Sequence, residues 1–308
     1  MRVLSLFNGM SFCRMALEDL NINVSKYYSS EIDKYANQAA QALYPDTIQL
    51  GDVLNWREWD IDWGSIDLVT GGFPCQAWSM AGKQLGDKDE RGMLFWTMLD
   101  IMKHVKHYNP KADFLIENVK MKKEFEQYIA THTENALGHV YKILINSALV
   151  SAQNRNRYYW TSFEVQQPDD KGIILKDIVD PMCRDVNSDS WHKWWEDKKD
   201  FQIKKKYSAI CNDGSTDKAI TLTARQYASW NGNFIHVRSP CKFVGMKRVD
   251  SDLYRKLTVR ENMKLQTVPE HHINTLLSAG ISNAQLYKMC GNGWTLKVIS
   301  HIFKNLNE

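Results

Sequence analysis

The sequence predicts an α/β protein: a mainly parallel sheet with helices on both faces, plus a smaller irregular domain. Three observations lead there. Short apolar runs alternate with helix-period segments through the first half, the pattern of strands joined by crossover helices. The chemically unusual residues fall where apolar runs end, the edge at which open parallel sheets bind ligands. After about Phe163 the periodicity gives way to turns, charges and clustered tryptophans.

Each element follows in order. Residues 3–7 read as a buried strand and 12–20 as a helix, then 27–30 as a strand and 35–43 as a second helix. Residues 66–70 form a strand ending in Gly71-Gly72, 93–107 a long helix and 114–116 a short apolar strand. From 169 to 210 no period emerges. Residues 295–306 carry Leu296, Val298, Ile299, Ile302, Phe303 and Leu306 at the spacing of an amphipathic helix, expected to pack back on the large domain. The expected division is a large domain over 1–165, a smaller one over 166–254 and a return segment over 255–308 that completes the first.

Composition narrows the function classes. With 308 residues, 44% hydrophobic and 24% charged, the chain can bury a large core, which excludes disordered, collagen-like and low-complexity proteins. No apolar run approaches the roughly 18 residues of a membrane span, and residues 1–6 run directly into a strand pattern, so neither insertion nor secretion is expected. The six cysteines show no paired spacing, which argues against disulfides and structural zinc and for a reducing compartment. The net charge of +3 is unevenly spread: residues 184–260 hold 16 Lys/Arg against 9 Asp/Glu, and the remainder is net negative. Such a basic segment suits a polyanion or a solvated face equally.

Several residues carry chemistry. Phe7-Asn8-Gly9-Met10-Ser11 turns a strand into a helix and leaves backbone N–H groups open. Ser11 and Arg14 occupy the places of the second and third glycines of a pyrophosphate cradle, which disfavours a pyrophosphate and leaves open a nucleoside ligand without phosphates. Glu31, followed by Ile32, closes the next strand where an acid accepts from ribose hydroxyls, and Asp52, followed by Val53, follows another loop where it can meet an adenine amino group. Each reads as readily as a turn or a cap. Gly71-Gly72-Phe73-Pro74-Cys75-Gln76 is a tight turn presenting a thiol, either a nucleophile or a small buried hydrophobe. Glu117, ending an apolar strand, is an acid of raised pKa or a helix cap. Arg155 and Arg157 are two apart before Tyr158-Tyr159-Trp160; on a strand both would face one substrate, or one surface.

Together these motifs, in this order, resemble the DNA cytosine-5 methyltransferase family. Phe7-Asn8-Gly9 looks like its cofactor motif, Pro74-Cys75-Gln76 its nucleophile motif, Glu117-Asn118-Val119 its acid motif, and Gln153 with Arg155 and Arg157 its basic motif. Arg255-Lys256-Leu257-Thr258-Val259-Arg260-Glu261 is similar to a later element, and Gly291-Asn292-Gly293-Trp294 stands where a closing Gly-Asn motif belongs. Ser11 replaces the usual second glycine, and Gly293-Trp294 the commoner serine-valine pair, which implies altered packing of the cofactor pocket.

The resemblance implies a Rossmann-like catalytic domain and a target-recognition domain in the second interval. It implies methyl transfer from S-adenosyl-L-methionine, leaving S-adenosyl-L-homocysteine, to a cytosine flipped from double-stranded DNA. Cys75 would attack C6, Glu117 would protonate N3, and Arg157 with Arg155 would hold O2. The cofactor would lie against Phe7, Asn8, Gly9, Met10, Ser11, Glu31, Ile32, Asp52, Val53, Phe73, Pro74, Asn292, Gly293 and Trp294. Residues 79–92 read as a polar lid, with Gln76 or Ser79 approaching the vacated stack and Lys83 meeting phosphate. Arg225 and Gln226 are offered to guanine and adenine edges. Trp191, Trp194 and Trp195 suit the core of the small domain better than base stacking, and the three lysines 204–206 suit phosphate or solvent. A cytoplasmic bacterial or phage enzyme without a metal is expected, either paired with a cognate restriction endonuclease or an orphan. The rival functions are methylation of a tRNA cytosine and a catalytically silent DNA binder.

Overall fold

The computed structural model describes residues 1–74, 90–180, 183, 189–204, 208–212, 218–225, 232–237, 242–244, 247–249 and 253–306. Cys75, Gln76, Ser79, Lys83 and Gln226 lie outside them, as does the expected lid except for its last three residues, which open a helix.

The first half alternates as the sequence predicts, with one further strand, β3, that it does not: β1 (Arg2–Leu6), α1 (Phe12–Asp19), β2 (Lys26–Ser30), α2 (Lys34–Leu43), β3 (Ile48–Gly51), β4 (Leu68–Gly71), α3 (Glu90–Tyr108) and β5 (Asp113–Val119). Then come α4 (Lys123–Leu137), β6 (Tyr141–Asn146) and β7 (Asn156–Thr161). Seven strands form one sheet in the order β3-β2-β1-β4-β5-β7-β6. Strands β1 to β5 pair in parallel, whereas β7 runs antiparallel to both β5 and β6.

Side chains alternate across the central strands, so the sheet feeds two cores. Val3, Leu68 and Leu115 enter the one covered by α1, while Leu4, Leu6, Val69, Phe114 and Ile116 enter the one covered by α3 and α4. Asp33 accepts from the Tyr35 N–H at 2.9 Å and so caps α2.

After β7 come α5 (Asp189–Lys204), β8 (Ser208–Asn212), β9 (Gly232–Val237), β10 (Lys242–Val244), β11 (Lys247–Val249) and β12 (Leu253–Lys256). Helix α5 lies in a stretch where sequence periodicity is absent. Of its side chains Trp195 is fully buried, against Phe234 and Tyr254 at ring distances of 5.6 and 6.1 Å, with Trp194 beside them. This small core rests on the sheet β12-β9-β8. Leu175, Ala219, Leu222 and Ile235 lie within the 166–254 interval, yet they join the α1-side core.

The chain returns through α6 (Val259–Leu265), α7 (Glu270–Ser278), α8 (Asn283–Asn292) and α9 (Leu296–Phe303). Leu296, Val298, Ile299, Ile302 and Phe303 are fully buried, at roughly 1.5–3 kcal/mol of transfer energy each. The turn into α6 is a buried knot. Arg255 donates two 2.8 Å hydrogen bonds to Glu261, whose Oε2 also accepts the Thr258 N–H in a capping box. No helix among the described residues is long and apolar enough to cross a membrane.

Candidate active site

Two groups of motif residues meet at the carboxyl edge of the sheet. The first begins where β1 ends. Phe7, Gly9 and Ser11 all have positive φ (55°, 56° and 65°), a tight crook that lifts the chain from strand to helix. Asn8 holds it together, donating to the Ser11 Oγ and accepting from the Tyr27 hydroxyl, each at 2.9 Å. Ser11 therefore tolerates the left-handed conformation that glycine usually fills by engaging its own hydroxyl.

Glu31 closes the crook from β2. Its Oε2 accepts the Gly9 N–H at 2.9 Å, and its Oε1 the N–H groups of Ile32 and Asp33. Ile32 is 75% exposed, an aliphatic surface beside an acid, and the space where Gly9 would carry a Cβ is empty to 4 Å. Asp52 accepts from the Leu54 N–H and caps a 3-10 turn, in which Leu54 is exposed. An acid that takes the Gly9 N–H, beside open aliphatic surfaces, fits a nucleoside bearing a non-phosphate tail. Met10, Val53 and Phe73, by contrast, pack their side chains into the cores.

The second group surrounds Glu117. In the parallel pair of β4 and β5, Gly71 lies opposite Ile116, so Glu117 stands level with Gly72 at the start of the Phe73-Pro74 turn. Asn118 donates to the Phe73 carbonyl at 3.0 Å and pins that turn to β5. Arg157 Nε lies 2.9 Å from Glu117 Oε1, and the Trp294 indole N–H donates to Oε2 at 3.1 Å. Antiparallel β7 makes this possible, because its first residues lie at the edge where β5 ends. A Cβ on Gly72 would stand 3.1 Å from both Glu117 Oε2 and Trp294 Nε1, so glycine lets the acid and the indole close on the turn.

Burial pushes the Glu117 carboxyl above its usual pKa, against the opposing pull of Arg157, Arg155 and Trp294. Desolvation also pushes the thiol of Cys13 up to about 11 and that of Cys290 up to about 12, so both stay protonated and inert.

Arg155 departs from the expectation that it shares a face with Arg157. It precedes β7, so strand alternation does not apply, and its backbone pairs with Asn146 and Ser147. Its buried guanidinium donates to the carbonyls of Leu222 at 3.0 Å, Gly291 at 3.0 Å and Gly293 at 2.7 Å. Gln153 works alongside it, accepting from the Leu222 N–H and donating to Leu265 and Gln266. This network bolts the 219–223 segment to the 291–293 loop so closely that a Cβ on Gly291 would fall 2.1 Å from the Thr223 backbone. Asn292 is exposed beside it, and Arg225 is exposed in a turn after the bolted segment. Arg155→Ala strands three buried carbonyls and is expected to cost about 3 kcal/mol or more in a urea unfolding titration.

Sequence reasoning missed the link from Trp294 to the acid, and the roles of Gln266 and Thr295 beneath it. Gln266 accepts from the Thr295 hydroxyl at 2.9 Å and donates to the Cys290 carbonyl at 2.6 Å. The indole beside the Gly-Asn motif was visible as an oddity, but nothing local names its partner.

The family model described as C-5 cytosine-specific DNA methylase matches residues 1–308, the whole chain. The chain belongs to the C-5 cytosine-specific DNA methylase family. As a member it is a DNA cytosine-5 methyltransferase. The methylase is 30% identical over its full length to the type II methyltransferase M1.ScrFI of Lactococcus lactis subsp. cremoris, covering 78% of that protein. It is 29% identical to M.NlaX of Neisseria lactamica, over 99% of this chain and 96% of the relative. Among solved structures it resembles the Entamoeba histolytica methyltransferase EhMeth, with a TM-score of 0.72 at 17% identity over 99% of this chain and 97% of the other. A Spodoptera frugiperda DNMT2 variant matches with a TM-score of 0.70 at 19% identity over 100% and 99%. These two similarities concern the fold.

For the methylase, Trp294→Phe keeps the ring and removes the N–H that favours ionised Glu117. The high-pH limb of single-turnover methyl transfer should then move to higher pH, with a plateau rate about tenfold lower from loosened positioning. An unmoved limb would mean that the indole only fills space.

Proposed function

We propose that this methylase moves a methyl group from S-adenosyl-L-methionine to C5 of a cytosine flipped out of double-stranded DNA, through a transient bond to Cys75. The observation that carries the reading is the buried Glu117, gripped by Arg157 and Trp294 beside the turn that leads into Cys75. When bound, the cofactor supplies an electrophilic methyl on a positively charged sulfur. Glu31 would receive the ribose hydroxyls, Ile32 and Asp52 the adenine, and the crook from Phe7 to Ser11 the rest.

Cytosine C5 is a weak nucleophile until the ring is opened to attack. The Cys75 thiolate adds to C6 while Glu117 gives a proton to N3, and the resulting enamine carries electron density to C5, which takes the methyl. A base then removes the C5 proton, the C6–S bond breaks, the thiolate leaves, and N3 returns its proton as aromaticity is restored. Arg157, already on Glu117, can turn one guanidinium N–H toward the cytosine O2 and favour the charge that gathers there. Arg155, spent on three carbonyls, acts as the strut behind this arrangement. C5 and C6 are closed to a thiol inside a stacked duplex, so the base has to leave the stack. A cytoplasmic setting beside a cognate restriction endonuclease belongs to the same proposal and draws support from the type II relatives.

The test is transfer of labelled methyl from S-adenosyl-L-methionine to duplex DNA and, separately, to tRNA. Label at C5 of cytosine in the duplex is expected. Label in tRNA alone, or in neither, would overturn the reading and leave the tRNA enzyme or the silent binder.

A further inference from the structure

On the face of the molecule made by α1, α2 and α7, three side chains converge whose arrangement the methyl-transfer chemistry leaves unused. Glu18 lies in the last turn of α1, and His271 and His272 in the first turn of α7. His272 Nε2 is 2.9 Å from Glu18 Oε2, His271 Nε2 is 3.8 Å from Glu18 Oε1, and all three ligand atoms lie within 4.8 Å of one another. Among the described residues no other three His, Cys, Asp or Glu side chains come together in this way.

We propose that Glu18, His271 and His272 form a binding site for a borderline divalent cation of the zinc class, which staples α1 to α7. Two imidazoles and one carboxylate are the donor set that such ions take, and a tetrahedral zinc ion separates its ligand atoms by about 3.4 Å. The distances bracket that value. His272 is already buried in place, and His271, 67% exposed, is free to turn the remaining distance. Water from the exposed side completes the fourth position.

The surroundings support the ligands. The Tyr44 hydroxyl donates to Glu18 Oε2 and lies 3.2 Å from His272 Nε2, so Oε2 is oriented from outside while Oε1 faces the exposed His271. Arg14 stacks its guanidinium 4.4 Å from the centre of the Tyr44 ring and is neutralised by Asp46 at 2.7 Å, which fixes the tyrosine and offsets the nearest positive charge. A neutral imidazole and an ionised carboxylate are the forms a metal requires.

Isothermal titration of the untagged full chain with ZnCl2 at pH 7.5 is expected to show a site of micromolar affinity. Occupying it should raise the Tm by roughly 2–4 °C at a hundredfold excess over Kd. MgCl2 should do neither, because magnesium prefers oxygen ligands. His271→Ala, at an exposed position that leaves the fold intact, and Glu18→Gln should each weaken zinc binding at least about 100-fold and abolish the thermal shift. Zinc affinity and thermal shift unchanged in both variants would overturn the site. The readout involves no methyl transfer, so it stands or falls apart from the catalytic proposal.

Discussion

Cys75→Ser is expected to abolish covalent capture of duplex DNA containing 5-fluorocytosine. With S-adenosyl-L-methionine present, the wild type should add its sulfur to C6 and place the methyl on C5. That carbon then holds fluorine and methyl but no proton, so elimination cannot follow and protein and DNA remain joined. Serine presents an alcohol that stays protonated at neutral pH and adds poorly to a pyrimidine. On ordinary duplex the same change should lower kcat at least about a thousandfold. Denaturing electrophoresis reads the adduct directly, and equal adduct from both proteins would place the nucleophile elsewhere.

Glu117→Gln should lower kcat by about 10²–10⁴-fold while DNA affinity stays within a few-fold. Glutamine keeps the shape but accepts from only one of Arg157 and Trp294, its amide nitrogen being a donor, and it has no acidic proton to give to N3. Because burial raises the Glu117 pKa, the carboxyl keeps its proton further toward neutrality than an exposed glutamate does. In the wild type, the rate should fall as pH rises through that pKa, and the glutamine variant should lose this limb. The sign for stability follows. The native state holds this proton more tightly than the unfolded chain, so its stabilising contribution is complete below the unfolded pKa and is lost as pH rises through the folded one. Thermal melts of wild type relative to Glu117→Gln should record that loss. A variant of unchanged kcat would remove Glu117 from the chemistry.

The strands β1, β2, β4 and β5 and the helices α1, α2 and α3 were legible because each buries a face or a whole strand of its own, so periodicity along a short window reports it; β3 and β6, largely exposed, and α4 were not read. Residues 3–7 and Arg2–Leu6 differ by one residue at each end. Helix α5 was hidden for the opposite reason: it carries eight charged residues in sixteen, and among its described side chains only Trp195 is fully buried, too little for a visible stripe. The site was half legible. Glu31 and Glu117 stand at strand ends, where position alone signals them. Arg155 shows where local rules stop, since the two-residue alternation that would pair it with Arg157 begins only at Asn156. Its carbonyl partners lie 67 to 138 residues away, and only the folded chain brings them within reach.

Trp294 reaches Glu117 across 177 residues of sequence. During synthesis the acid therefore waits, half gripped, until nearly the last helix has left the ribosome. A nascent chain cannot hold its acid with both donors, and fragments that stop short of Trp294 emerge without that grip. The complete clamp exists only once Trp294 is in place.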